Sequence, residues 1–102
     1  MSTYPVDVKA SEKSTAATHT IFAGPARCVG LYMVQPLDTA VSTVTVLDDS
    51  TTVAVFTLPA TTDGSNKGAI SQYVQFPGTG IRCRTSLKLT LSAATPVTVF
   101  YG

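Results

Sequence analysis

Tryptophan is absent from this chain of 102 residues, and charge is scarce. Only 13% of its residues are charged, about half the share usual in a soluble domain. Seven basic and six acidic residues leave a net charge of +1. They are scattered, so the basic stripe required for non-specific nucleic-acid binding is missing. No apolar run is long enough to cross a bilayer as a helix, and no membrane role is expected. The opening "MSTYPVDVKASEKST" lacks a basic stretch followed by an apolar one, so no secretory leader is expected and folding is assigned to the cytoplasm of the producing cell. Segments with helical periodicity are missing as well.

Histidine and cysteine are equally thin, with one and two copies. A zinc site wants three or four clustered Cys, His or acidic ligands, which His19, Cys28 and Cys83 do not supply. His19 sits in a strand pattern beside Ile21 and reads as a packed or hydrogen-bonded residue. Cys28, in "RCVGLYMV", and Cys83, in "IRCRT", read as reduced, buried thiols; a bridge between them would need neighbouring strands. No local signature makes either thiol a nucleophile. Asp48, Asp49 and Asp63 are too dispersed for a calcium loop and read as turn formers. "PGTG" is too short to cradle a phosphate and precedes a strand rather than a helix. The sequence therefore leads us to expect no catalytic residue, no cofactor and no metal, and a protein that is not an enzyme.

What is abundant is threonine, followed by valine and alanine. The β-branched pair, threonine and valine, suits pleated, half-buried surfaces. Leu87, Leu89 and Leu91 alternate with Lys88 and Thr90. Val97, Val99 and Tyr101 alternate with Thr98 and Phe100. "VSTVTVL" and "TVAVFTL" flank "DDST" as a hairpin. "ARCVGLYMV" is apolar on both faces and reads as a central strand, with Gly30 marking a bulge or close approach. "AISQYVQF" sets Ile70, Gln72, Val74 and Phe76 against Ser71, Tyr73 and Gln75. Asp63, Gly64 and Asn66 mark a polar loop. Seven or eight short strands with turn signals every 8–12 residues predict an all-β, antiparallel β-sandwich or jelly-roll-like domain over residues 15–102. Residues 1–14 are polar and read as an N-terminal arm.

The scarcity of charge fits two pictures: a surface covered in a repeating assembly, or a plain Thr/Ser-coated sandwich. Arg82 and Arg84 flank Cys83, and in a strand they would share one face, suited to carboxylates on a partner chain or simply to solvent.

The segments "AGPARCVGLYMV" and "TVTVLDD", with the ending "FPGTGIRCRTSLKLTLSAATPVTVFYG", make residues 15–102 resemble the small virion proteins of tailed bacteriophages and their uncultured marine relatives. The shared pattern is an aromatic–Pro–Gly turn, a short step to arginine, a leucine-alternating strand and a last strand like "VTVFYG". The resemblance implies a virion structural protein at the capsid surface, most plausibly a capsid decoration (cement) protein bound outside the lattice of the major capsid protein. A tail or fibre part, or a receptor- or glycan-binding module, is the alternative. Cys28 and Cys83 are not part of the pattern. For such a role Tyr4 and Val6 on the arm, with Arg82 and Arg84, are the expected contact residues, and a homo-oligomer, a trimer, is the expected state.

Overall fold

The computed structural model describes residues 9–36, 40–61, 70–78 and 80–102. Among them the chain is all-β, with nine strands: β1 (Lys9–Lys13), β2 (Thr18–Phe22), β3 (Ala26–Gln35), β4 (Ser42–Asp48), β5 (Thr51–Leu58), β6 (Ile70–Gln75), β7 (Ile81–Cys83), β8 (Leu87–Leu91) and β9 (Val97–Tyr101). One sheet runs in the order β1-β9-β3-β6, with β7 also paired to β3; the other runs β2-β8-β4-β5. Every pairing is antiparallel. The first strand thus pairs with the last, the second with the one before it, β3 with β6 and β7, and β4 with β5. This nested pairing is one long hairpin folded over on itself, the wrap of a jelly roll.

Alternation decides what lies between the sheets. Cys28, Leu31, Met33, Val97 and Val99 face inward from the first sheet; Val44, Val46, Leu58, Leu87, Leu89 and Leu91 face inward from the second. Each such aliphatic side chain contributes roughly 1.5–3 kcal/mol by leaving water. Phe56 of β5 meets Phe76, just past β6, at a ring separation of 5.9 Å, closing the core across the sheets. The leucines of β8 are at most 2% exposed, as their alternation requires.

The strand count exceeds the sequence expectation because one strand has no apolar face to announce it. Lys9–Lys13 falls in the stretch read as an arm, yet it is β1, an edge strand held by backbone pairing to β9. β6 and β7 lie along the same side of β3, against its C-terminal and N-terminal halves respectively. They are separated at Pro77 and the positive-φ glycines 78 and 80. The break matches an irregularity in the β3–β9 register between Cys28 and Gly30, where the Phe76 N–H donates to the Val29 carbonyl at 3.0 Å.

Buried polar groups gather at one end of the sandwich. Gln35 is the last residue of β3 and fully buried. Its Nε2 donates to the carbonyls of Ala40 (2.8 Å) and Pro59 (3.1 Å). Its Oε1 accepts from Ser42 Oγ (3.0 Å) and Thr95 Oγ1 (3.3 Å). All four hydrogen-bonding positions of the amide are used, as burial demands.

Candidate interaction surface

The outer face of the first sheet carries the least expected side chains. Tyr32 on β3 lies directly opposite Tyr73 on β6, and the two are 40% and 54% exposed. Phe100 on β9 lies on the same face, with its ring 6.1 Å from that of Tyr73 in an edge-on arrangement. The three rings gather around Gly30, which pairs with Phe100 on one side and Gln75 on the other. A Cβ there would come within 2.8 Å of the Val74 carbonyl oxygen and 3.2 Å of the Tyr73 hydroxyl. The missing side chain lets Tyr73 lean across β3. Thr98, Gln75 and Ser71 surround the rings with neutral polar groups.

Farther along the same face, Arg82 on β7 is directly opposite Arg27 on β3. Like charges so placed disfavour the pairing. The two arginines line a cleft of about 210 Å³ with Pro25, Ala26, Cys83 and Gly102. Backbone bonds between Arg27 and Gly102, at 3.0 and 3.1 Å, hold its wall.

Arg84 is not part of that pair. β7 stops at Cys83, so Arg84 lies beyond the strand, and the cross-strand neighbour of Arg82 is Arg27. Asp48 causes the stop. Its Oδ2 accepts the Arg84 N–H, and its Oδ1 accepts those of Thr85 and Ser86, at 3.0 to 3.4 Å. These bonds, that of Arg84 first and that of Thr85 next, hold the Asp48 carboxyl below its ordinary value, against a smaller opposing effect of desolvation. Asp48 therefore fastens the turn before β8 to the β4–β5 hairpin. Asp49 sits at φ 57°, in a left-handed turn conformation that aspartate tolerates, and reaches Lys88 Nζ at 3.4 Å.

The other singled-out residues are structural. His19 Nε2 donates to the Thr15 carbonyl at 2.7 Å. Cys28 and Cys83 are free and buried, diagonally placed on paired strands. Burial, then the neighbouring Cys83, pushes the Cys28 thiol from 9.0 up to about 12. Burial and the Asp48 charge push Cys83 up too. Thiols held neutral in this way are poor nucleophiles. Among the described residues no three His, Cys, Asp or Glu side chains gather as metal ligands would. Tyr4 and Val6 lie outside the described residues, as do Asp63, Gly64 and Asn66.

Sequence reading singled out Arg82 but not Arg27, Tyr32 or Phe100. Their proximity depends on the registers of β3 with β6, β7 and β9, which no short-range signal carries. No protein-family model matches the chain, and no curated protein matches it either.

Proposed function

We propose that the chain is a non-enzymatic virion structural protein, a capsid decoration protein that binds the outside of the major capsid lattice as a homo-oligomer. The observation that carries this reading is the outer face of the first sheet. Tyr32, Tyr73 and Phe100 stand beside the paired arginines in a chain otherwise poor in charge. Aromatic residues and arginine are the types enriched in the buried parts of protein interfaces. Jelly rolls recur in capsids; that support is an analogy of fold, and fold alone fixes no function.

A second reading draws on the same tyrosines. Jelly rolls also recur in lectins, and exposed rings bordered by hydroxyls and amides suit the apolar face of a sugar. A tail or fibre module that binds a receptor glycan would present such a face. The two readings separate in one pair of measurements. Shells lacking the protein are mixed with the full chain, with a Tyr32→Ser, Tyr73→Ser variant and with an Arg82→Ser variant, and bound protein is quantified by co-sedimentation. The same three proteins are applied to a glycan array. Decoration reads as wild-type binding to shells that falls at least tenfold in the tyrosine variant and less in the arginine variant. Tyrosine-dependent glycan binding with bare shells would move the function to receptor recognition.

A further inference from the structure

A sheet with open edges offers unpaired backbone donors and acceptors to any extended chain, and proteins ordinarily blunt each edge. Three of the four edges here are blunted. On β1, Lys9, Ser11 and Lys13 align with Tyr101, Val99 and Val97, so two lysines stand on the inward side of that edge. β2 is five residues long and its register with β8 shifts between Thr20 and Phe22. β6 is uncharged but carries Gln72 and Gln75, and after the break at Pro77 the edge continues as β7 with Arg82.

β5 shares only one of these devices, a shift in its register with β4 between Val46 and Leu47 that leaves Val53 unpaired, and it is otherwise long and undefended. Among the described residues it is hydrogen-bonded on one side only, to β4. Its eight residues, Thr-Thr-Val-Ala-Val-Phe-Thr-Leu, include no charge and no proline. Val53 and Val55 are 37% and 56% exposed.

We propose that β5 is the contact through which two copies of this chain join, edge to edge and antiparallel, making one continuous eight-stranded sheet. A second copy is the occupant these residues favour. A strand neutral along its whole length asks for no opposite charge, and about a two-fold axis at Val55 the Ala54–Phe56 stretch meets itself, apolar against apolar. Opposed residues in an antiparallel pair point to the same face, so the two cores stay on one side only if a residue faces its own counterpart or one an even number of positions away. An axis at Val55 meets that condition. It sets Val55 against the partner's Val55 on the outer face, and Ala54, small, against the partner's Phe56, large, on the inner face. Such an isologous contact uses up both β5 edges and closes at two copies, which sets a dimer where the sequence reading expected a trimer. The inference stands apart from the capsid reading and is tested without shells.

The test is sedimentation velocity on the purified full-length chain, with Val55→Lys and Val55→Glu variants. Val55 is on the exposed outer face, so both variants stay folded, which circular dichroism checks first. The wild-type chain sediments at twice its 10.6 kDa. Each variant alone sediments at the single mass, because like charges meet at the axis; an equal mixture recovers the doubled mass. A Tyr4→Ser, Val6→Ser variant keeps the doubled mass. A single or tripled mass for the wild type, a doubled mass for either charged variant alone, or no recovery on mixing would overturn the proposal. Loss of the dimer in the Tyr4, Val6 variant would overturn it as well, by giving the edge to the N-terminal segment.

Discussion

At Gly80 a Cβ would lie 2.5 Å from the Cys28 carbonyl oxygen, in a backbone already at φ 90°. Gly78 has φ 67° but nothing within 4 Å of the same construction. The pair separates strain from collision. Gly78→Ala should cost about 1–3 kcal/mol, the range for a residue held in a sparsely populated region. Gly80→Ala should cost clearly more, because β7 must then move away from β3. Denaturant unfolding of both variants checks this, and equal losses would mean that β7 yields freely. Cys28 supplies a second residue-scale prediction. Its folded thiol keeps its proton to about pH 12, whereas an ordinary one loses it near 9.0. The unfolded chain therefore binds fewer protons above that ordinary value, and stability falls as pH rises through this window. The fall from about pH 8 to about pH 10 should be smaller in Cys28→Ala than in the wild type; identical slopes would show that the thiol is not the source.

At the scale of elements, β8 was the most legible part of the chain. A period of two, with leucine at 87, 89 and 91, needs no knowledge of partners to reveal a buried face. The same holds for Val97 and Val99, and for Val74 and Phe76 against Tyr73. β1 was hidden because backbone pairing alone holds it and its lysines, serine and glutamate look like an arm. Gln35 was hidden because a glutamine beside a proline reads as a turn. It is buried only because Ser42, Thr95 and the carbonyls of Ala40 and Pro59 converge on it from three other segments. The candidate surface was half legible for the same reason: Arg82 stands out locally, whereas Tyr32 opposite Tyr73 exists only once the register is set. Core packing and the polar knot should therefore matter comparably. Leu89→Ala is expected to cost about 2–5 kcal/mol. Gln35→Met, similar in size but unable to bond, should cost more than about 2 kcal/mol, since each stranded polar group costs roughly 1–3. Chemical denaturation gives both values; a loss under about 0.5 kcal/mol for Gln35→Met would show that the knot is dispensable.

Taken as a whole molecule, the chain wraps two sheets around one small core and carries the two surfaces to which other chains are proposed to bind. One is the outer face of the first sheet, with its tyrosines and paired arginines. The other is the β5 edge of the second sheet, unpaired among the described residues. They lie on different sheets, so the two proposals are compatible. The most direct measurement of the central claim is an electron-microscopy reconstruction of shells that lack the protein, after incubation with the purified full-length chain. The account predicts added density on the outer surface, fitted by the sandwich with Tyr32, Tyr73 and Arg82 turned toward the shell. Bare shells, or density fitted with that face turned to solvent, would contradict it.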